Sequence, residues 1–394
     1  MKVLVADKFP EIYLQQLKEL DCEVTYSPKL GEKDLPEAAK DVDILVVRST
    51  NVTSEIINKS ENLNLIVRAG AGVNNIDISA ANKRGIYVAN CPGKNSIAVA
   101  ELTIGLMIAL DRRIPNNVMD FKKGIWNKAE YSKAEGLRGK NLVLIGVGNI
   151  GKEVAKRAAS LGMHVYGKDL IQIEDLPVTY FTDFNKILAI ADVISIHLPL
   201  NKETQGLFNK KLFELIKQGT IFINTSRAEI VDEQALIETV KEKDLRVGID
   251  VFMDEPAGKD GTVKSPLQDL DNVYVTHHIG ASTEQAQNAI AEETVNIIRN
   301  FLTTGLVEHW VNRAKKTEAQ FQLIVKHYDR PGVLASVFNI LREGKINIEE
   351  VENVIFDGGL AASCTMKLNK KASSAMLEII RGNEDVIHIS QVEI

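Results

Sequence analysis

The stretch "NLVLIGVGNIGKEVAKRAASLGMHVYGKD", residues 141–169, decides the fold. An apolar run typical of a buried strand leads through a glycine-rich turn into a segment of helical period, and a second apolar run follows. Gly146 permits a tight turn, Gly148 lets backbone amides approach a pyrophosphate, and Gly151 lets helix and strand pack closely. Asp169 closes the second run, where a carboxylate accepts from ribose hydroxyls and repels a 2'-phosphate. The stretch therefore predicts a dinucleotide fold that binds NAD rather than NADP. The alternative is a turn in a fold that binds no ligand.

Strand-like runs continue on both sides of this stretch and indicate two doubly wound α/β domains with parallel sheets. The Rossmann-type domain has six of them: "NLVLIG", "HVYGKD", "VISIHLP", "TIFINTS", "RVGIDVF" and "NVYVTHH". Upstream, "KVLVAD", "DILVVRS", "LNLIVRAG" and "IYVAN" alternate with helix-period segments such as "PEIYLQQLKEL".

Two helices are expected to connect these domains, and a third domain follows. Residues 96–113, "SIAVAELTIGLMIALDRR", have the apolar girth of a helix buried between domains. A helix after His278 begins with a predicted capping box of Ser282 and Gln285 and returns to the first domain. Beyond a charged linker, the order strand, helix, two strands, helix, strand predicts a ferredoxin-like α+β module. The predicted boundaries are 1–95 with 283–312 for the first domain, 96–282 for the NAD-binding domain, 313–319 for the linker and 320–394 for the last module.

Composition narrows the class of partner. The 394 residues carry a formal net charge of −6, and no run of basic residues with interleaved aromatics offers a footprint for nucleic acid. Three cysteines lie far apart, which fits neither a disulfide framework nor a zinc ribbon and favours a reducing compartment. We expect no metal ion. We also expect a cytoplasmic protein, because neither a cleavable leader nor a run long enough to span a membrane is recognisable.

A nicotinamide cofactor implies hydride transfer, which requires a proton acceptor for a hydroxyl and a cation for a substrate carboxylate. Three strand ends of the Rossmann-type domain supply candidates. Arg227 follows "IFINTS", Asp250 and Glu255 lie in "GIDVFMDEP", and the adjacent His277 and His278 lie in "VTHHIGAST". All three segments meet at the carboxyl edge of the sheet, where ligands of such sheets bind.

These motifs resemble the D-isomer-specific 2-hydroxyacid dehydrogenases over essentially the whole chain. In that family the fingerprint is similar to "GVGNIG", the arginine segment to "NTSRAEIVDEQAL", the glutamate segment to "DVFMDEP" and the histidine segment to "HIGAST". The resemblance implies that Arg227 binds the carboxylate, that His278 is the acid-base group and that Glu255 orients it. The family usually has proline where this chain has His277, so His277 is interpreted as a bystander.

The resemblance also implies contacts to cofactor and substrate. Glycine-rich turns are more often only turns, a histidine such as His197 equally often caps a strand end, and Arg48 is equally consistent with a solvated side chain. The implied NAD contacts are Gly146, Gly148, Asn149, Ile150, Gly151, Asp169, His197, Pro199, Thr225, Ser226, Asp250 and Gly280, and the implied substrate contacts are Arg48, Ser49, Ala71, Gly72, Val73 and Asn95.

The last module, with "HYDRPGVLASVFNILREGKINIEEVEN", resembles an ACT domain, a small regulatory fold that binds amino acids. The resemblance implies an L-serine effector at His327, Asp329, Gly332 and Val333, although Asp329 departs from the asparagine common in serine-sensitive members. The alternative is a module that only dimerises. The implied activity is NAD-dependent oxidation of a phosphorylated 2-hydroxy acid, D-3-phosphoglycerate, in L-serine biosynthesis by a homo-oligomer (dimer or tetramer). Glyoxylate or hydroxypyruvate reduction, another D-2-hydroxy acid as substrate, and an NADH-sensing corepressor are the alternatives.

Overall fold

Short apolar runs form parallel strands in the computed structural model, which describes residues 1–31, 33–256, 261–314 and 316–394. These residues divide into two units, Met1–Asn312 and Arg313–Ile394. Residue 315 of the predicted linker lies outside the described residues. The predicted domain boundaries within 1–312 stay predictions, since the first unit holds both parallel sheets.

The first sheet has five parallel strands in the order β2-β1-β3-β4-β5, the flavodoxin-like order of a doubly wound fold. The strands are β1 Lys2–Val5, β2 Glu23–Tyr26, β3 Ile44–Val47, β4 Leu65–Arg68 and β5 Tyr87–Asn90. The connecting helices are α1 Glu11–Lys18, α2 Leu35–Ala38, α3 Ser54–Lys59 and α4 Ile78–Lys83. The sequence predicted four of these strands and missed β2, an edge strand whose side chains are largely exposed.

The second sheet has seven parallel strands in the order β12-β11-β10-β9-β6-β7-β8, as in a Rossmann-type fold. Its strands are β6 Asn141–Ile145, β7 His164–Lys168, β8 Thr179–Tyr180, β9 Val193–Ile196, β10 Ile221–Asn224, β11 Arg246–Ile249 and β12 Val273–Val275. Its helices are α5 Ser96–Arg112, α6 Ile114–Lys122, α7 Lys128–Tyr131, α8 Asn149–Ser160, α9 Phe184–Ile190, α10 Lys210–Glu214 and α11 Glu233–Lys243. The six predicted strands are confirmed, and the two-residue edge strand β8 was missed.

Central strands are buried along their whole length because helices cover both faces of each sheet. All four residues of β3, β9 and β10 are buried, and each strand ends where polar residues begin. The register pairs Val47 with Arg68 and Asn224 with Ile249. Loops that follow neighbouring strands therefore leave each sheet side by side at its carboxyl edge, which is where the candidate residues lie.

The helix after the second sheet, α12 Glu284–Thr304, packs against the first sheet through Ile290, Val295 and Ile298. Its N-cap is Thr283, whose hydroxyl accepts a hydrogen bond from Ala286 N at 3.2 Å. The predicted capping box on Ser282 is therefore wrong, because Ser282 lies in a preceding turn where its N–H donates to the carbonyl of Ile279. Within the described ranges, no helix combines the length and apolarity that a bilayer span requires.

The second unit is a ferredoxin-like α+β fold, as predicted. Its antiparallel sheet has the order β14-β15-β13-β16, and two helices pack on it. The elements are β13 Phe321–Tyr328, α13 Val333–Glu343, β14 Ile348–Ile355, β15 Ala361–Leu368, α14 Ser374–Arg381 and β16 Val386–Glu393. Alternate residues of β15 are buried, which places one face of that strand in the core.

Candidate active site

The predicted acid-base residue, His278, is in direct contact with Glu255, the residue predicted to orient it. His278 Nδ1 lies 2.8 Å from Glu255 Oε2, although these residues follow different strands, β12 and β11. Glu255 Oε1 accepts a hydrogen bond from the backbone N–H of Phe252 at 3.1 Å, which fixes the carboxylate. The hydrogen bond to Glu255 raises the pKa of His278 against the opposing effect of burial. With Nδ1–H donated to the carboxylate, Nε2 is left to exchange a proton with a substrate.

Asp250 holds the loop that carries His278. Its buried carboxylate accepts from Ile279 N at 2.9 Å, Gly280 N at 2.8 Å and Thr276 Oγ1 at 2.6 Å. Its backbone carbonyl accepts from His278 N at 3.0 Å. Gly280 fits closely there, since an added Cβ would lie 3.0 Å from Asp250 Oδ2. Asp250 therefore shapes the turn, while Glu255 contacts the imidazole.

Arg227 reaches from the second sheet to the glycine loop of the first. Its Nη1 donates to the carbonyl of Ser226 at 2.7 Å, and its Nη2 lies against Gly72, where an added Cβ would collide with it. In the same glycine loop, the carbonyl of Ala71 accepts a hydrogen bond from Asn90 Nδ2 at 2.5 Å, and the carbonyl of Val73 accepts one from Ile76 N. The predicted cation and the predicted loop of backbone amides thus face one another.

Sequence reasoning missed Arg68, the last residue of β4. Burial, together with the positive charges of Arg227 and Arg48, lowers the pKa of its guanidinium to about 10. Its Nε is buried without a hydrogen-bond partner in the described part of the chain. Arg68 closes the strand β4 directly after three apolar residues, and Arg48 follows β3 in the same way, so its place at a strand end is a signal that could have found it. A guanidinium group that is repelled by two others favours an anionic ligand.

The remaining predicted substrate residues lie at the same edge of the first sheet. Arg48 and the exposed Ser49 follow β3, and their backbone N–H groups donate to the carboxylate of Asp7. Asn95 precedes α5 as its N-cap, and its side chain makes no capping hydrogen bond. Its neighbour Gly93 lies against the side chain of Asn149, so the loop from the first sheet touches the start of α8.

The glycine fingerprint has the geometry that a pyrophosphate requires. Gly146 has φ +98°, and an added Cβ would lie 2.6 Å from the carbonyl oxygen of His197. A Cβ at Gly151 would collide with the carbonyl oxygen of Gly146, whereas the space around Gly148 is open. Asn149 and Ile150 form the first turn of α8, whose N-cap Gly148 has no side chain to satisfy the free N–H groups. These residues fit a dinucleotide phosphate.

Asp169, His197 and Pro199 are further predicted cofactor contacts at the carboxyl edge of the second sheet. Asp169 Oδ2 accepts from Val147 N, which joins the carboxylate to the fingerprint turn. Burial lowers the pKa of His197 to about 3, so its imidazole is neutral, and Nε2 lies 2.9 Å from Ser195 Oγ. Pro199 is exposed two positions beyond.

Thr225 and Ser226 are buried at the end of β10. Their hydroxyl groups bond to Thr103 Oγ1 at 3.1 Å and to Asn224 Oδ1 at 2.8 Å, respectively. They lie directly before Arg227 and therefore border the same edge. His277 is exposed beside His278, and Glu255 bonds to the second histidine of the pair.

The predicted effector residues lie together at the turn from β13 to α13 in the second unit. His327 is buried, with Nδ1 2.7 Å from the carbonyl of Tyr328 and Nε2 3.2 Å from Asn353 Oδ1, so both ring nitrogens are engaged. Asp329 is exposed, Gly332 has φ +95° and Val333 begins α13. Among the described residues, no group of three or more His, Cys, Asp and Glu side chains could hold a metal ion.

Comparison with known proteins agrees with this geometry. Residues 104–280 match the family model described as D-isomer specific 2-hydroxyacid dehydrogenase, NAD binding domain. A curated relative from Methanocaldococcus jannaschii is 37% identical over 386 residues, which cover 96% of this chain and 72% of the relative. The chain therefore belongs to the D-isomer-specific 2-hydroxyacid dehydrogenases and is an NAD-dependent dehydrogenase.

Within that family, the Methanocaldococcus relative is a D-3-phosphoglycerate dehydrogenase. A hydroxypyruvate reductase from Thermotoga maritima is 43% identical over 295 residues, 74% of this chain and 94% of that protein. Among solved structures, NAD+-bound 3-phosphoglycerate dehydrogenase of Entamoeba histolytica superposes with a TM-score of 0.66 at 33% identity, covering 79% of this chain and 99% of that one.

Proposed function

We propose that the protein oxidises D-3-phosphoglycerate to 3-phosphohydroxypyruvate with NAD, as the first step of L-serine biosynthesis. The observation that carries the proposal is the approach of two further guanidinium groups to Arg68: Arg48 follows the strand beside it, and Arg227 reaches the glycine loop after it. A substrate with a carboxylate at one end and a phosphate at the other offsets all three charges. An unphosphorylated 2-hydroxy acid has only a carboxylate and therefore offsets fewer of these positive charges.

The reaction follows from the arrangement of Arg227, His278 and Glu255. Arg227 pairs with the substrate carboxylate, with the amides of the Ala71–Val73 loop beside it, and so directs C2 toward the second sheet. His278 Nε2 accepts the proton of the C2 hydroxyl as hydride leaves C2. The resulting imidazolium is stabilised by Glu255 at 2.8 Å. In reduction, the same imidazolium returns the proton.

The residues proposed to hold NAD lie along the carboxyl edge of the second sheet. Gly146, Gly148 and Gly151 with Asn149 and Ile150 would hold the pyrophosphate, and Asp169 the ribose hydroxyls. The cofactor, when bound, accepts the hydride from C2. The remaining predicted neighbours of the cofactor are His197, Pro199, Thr225, Ser226, Asp250 and Gly280. We also propose that residues 1–95 with 283–312 bind substrate and that 96–282 bind NAD.

The test is NADH formation by the purified full chain from NAD and D-3-phosphoglycerate at alkaline pH. We expect turnover, with a higher kcat/KM than for D-glycerate, which lacks the phosphate. NADP in place of NAD should support much less turnover, because Asp169 repels a 2'-phosphate. Equal kcat/KM for D-glycerate and D-3-phosphoglycerate would contradict the proposal.

Hydroxypyruvate reduction is a second candidate, favoured by the 43% identity to the Thermotoga maritima hydroxypyruvate reductase. Its substrate has a carboxylate for Arg227 but no phosphate for Arg48 and Arg68. Comparing kcat/KM for hydroxypyruvate and 3-phosphohydroxypyruvate with NADH decides between them, and a preference for hydroxypyruvate would favour this candidate.

The proposal includes a cytoplasmic homo-oligomer, a dimer or tetramer, whose second unit is an ACT-like regulatory domain. A row of exposed apolar side chains along and after α6 supports self-association: Ile114, Val118, Met119, Phe121, Ile125 and Trp126. The described cysteines are free thiols, which suits a reducing compartment. Activity measured with L-serine added tests the effector, and unaltered activity would contradict it.

A further inference from the structure

The loop after β3 is wound around one buried carboxylate. Asp7 follows β1, and its Oδ2 accepts from three successive backbone N–H groups, those of Arg48 at 2.7 Å, Ser49 at 3.0 Å and Thr50 at 3.0 Å. Its Oδ1 accepts from Ser49 Oγ at 3.1 Å. Asp7 is 5% exposed. Three N–H groups that converge on one point need a hydrogen-bond acceptor there, because without one they are unsatisfied and repel one another.

The sheet brings this carboxylate to the loop. β1 and β3 are parallel neighbours, with Val5 opposite Val46, so the residues that follow each strand emerge together. Arg68 ends the next strand and lies opposite Val47. Asp7, Arg48 and Arg68 are therefore at three adjacent strand ends, on the side where the candidate phosphate cations lie.

The charge of Asp7 is maintained by the loop itself. Burial raises the pKa of its carboxyl group, but the N–H donors of Arg48, Thr50 and Ser49 outweigh burial and bring the pKa below its ordinary value. The Asp7 charge also opposes, in part, the lowering of the pKa of Arg68. Asp7 thus acts on the arginines in two ways: it fixes the backbone from which Arg48 projects, and it places a negative charge beside Arg68.

We propose that Asp7 is a positioning residue that sets the preference for phosphorylated over unphosphorylated substrates. It fixes the loop of residues 48–50 so that Arg48 stands beside Arg68 with its charge toward the phosphate. Asp7 does not touch the reacting atoms, since its oxygens are occupied by the loop. This inference rests on the proposed function, because it assigns a substrate phosphate to these arginines.

Two substitutions separate the geometry from the charge. Asp7→Ala removes the acceptor, so the three N–H groups lose their partner. Asp7→Asn removes the charge but keeps the contacts, since the amide oxygen accepts from the N–H groups and the amide NH2 donates to Ser49 Oγ. Asp183→Ala is the matched control, because Asp183 is the N-cap of α9 and its carboxylate also accepts from two backbone N–H groups, those of Asn185 and Lys186.

The kinetic experiment compares 3-phosphohydroxypyruvate with hydroxypyruvate as substrates, using the full chain and NADH. The preference is the ratio of kcat/KM for the two substrates. We expect Asp7→Ala to raise KM for the phosphorylated substrate, and so to lower its kcat/KM, by about tenfold or more. For hydroxypyruvate, kcat/KM should change by at most about threefold. Asp7→Asn restores most of the lost preference, and Asp183→Ala retains it. An equal loss on both substrates in Asp7→Ala, or an Asp7→Asn variant as impaired as Asp7→Ala, would overturn the proposal.

Hydrogen exchange of the backbone amides provides a test that is independent of substrate. In the wild-type chain the amides of residues 48–50 should be protected, and in Asp7→Ala they should exchange at least about tenfold faster. Unprotected amides in the wild-type chain would overturn the role of Asp7 even if Asp7→Ala does not fold. A wild-type chain that prefers hydroxypyruvate contradicts the proposed function and the specificity role together. Protection of residues 48–50 would then still show that Asp7 holds the loop, so the two failures are distinguishable.

Discussion

Replacing one histidine of an adjacent pair should abolish most of the activity, while replacing the other should not. His278 is bonded to Glu255 at 2.8 Å, whereas His277 projects from the exposed neighbouring position. General acid-base catalysis contributes about 10²–10⁴ in rate. The His278 side chain is 54% exposed, so water can serve as a weak base in its place. We therefore expect His278→Ala to lower kcat by about 100- to 1,000-fold, in the lower part of that range.

The backbone at His278 requires a second variant. Its φ of +51° is in the left-handed region, which asparagine tolerates better than alanine does. His278→Asn should keep the turn but cannot take up the proton, so it should lose as much activity as His278→Ala. If the asparagine variant were active and the alanine variant inactive, the backbone conformation rather than the imidazole would explain the loss.

The assay is NADH formation at saturating NAD and D-3-phosphoglycerate, with NAD affinity measured separately by titration. NAD affinity should change little, because the ring bonds to Glu255 and not to the glycine fingerprint. His277→Ala is the matched control and should stay within about twofold of the wild-type kcat, as expected for a surface substitution. A His278 variant with near-normal turnover, or a His277 variant with the larger loss, would refute the assignment.

Three further predictions follow from other contacts. Because Glu255 raises the pKa of His278, and oxidation needs the neutral imidazole, the rate of oxidation should rise with pH through that pKa. Glu255→Gln lowers this pKa, so the rising limb of kcat/KM against pH should move to lower pH, and an unmoved limb would contradict the pairing. Arg68→Met removes a buried, repelled charge, so thermal unfolding without substrate should show about 1 kcal/mol of added stability while KM for D-3-phosphoglycerate rises by about tenfold. Lower stability of Arg68→Met would contradict this prediction, because it would show that favourable interactions compensate the charge of Arg68 in the free protein. Gly151→Ala drives a Cβ into the carbonyl of Gly146, so NAD titration should show affinity weakened by about tenfold or more, and unchanged affinity would count against the fingerprint turn.

The interior of both parallel sheets could be predicted from the sequence, whereas one edge strand of each sheet could not. Central strands are continuous apolar runs because helices cover both their faces. The missed strands are edge strands: β2, "EVTY", is largely exposed, and β8 has two residues. Their pairing is fixed by the neighbouring strand rather than by an apolar pattern of their own.

The sequence predicted which candidate residues follow the ends of strands, and therefore which edge of the sheet they share. Arg227, Glu255 and His278 each follow a parallel strand, and parallel strands share a carboxyl edge. Position after β11 alone does not distinguish Glu255 from Asp250, because the turn decides which carboxylate meets the imidazole. The family resemblance pointed to Glu255, and the contact is with Glu255. Arg68 closes β4 and was missed because the glycine-rich loop that follows it was interpreted as the substrate contact of this strand end. Its proximity to Arg48 and Arg227 depends on the tertiary structure.

The most direct test is a crystal structure of the full chain with NADH and D-3-phosphoglycerate, a pair that cannot react. The predicted complex has His278 Nε2 within about 3.2 Å of the C2 oxygen, the carboxylate on Arg227 and the phosphate beside Arg48 and Arg68. A bound substrate whose C2 oxygen is out of reach of His278, with its phosphate directed away from the two arginines, would contradict the account.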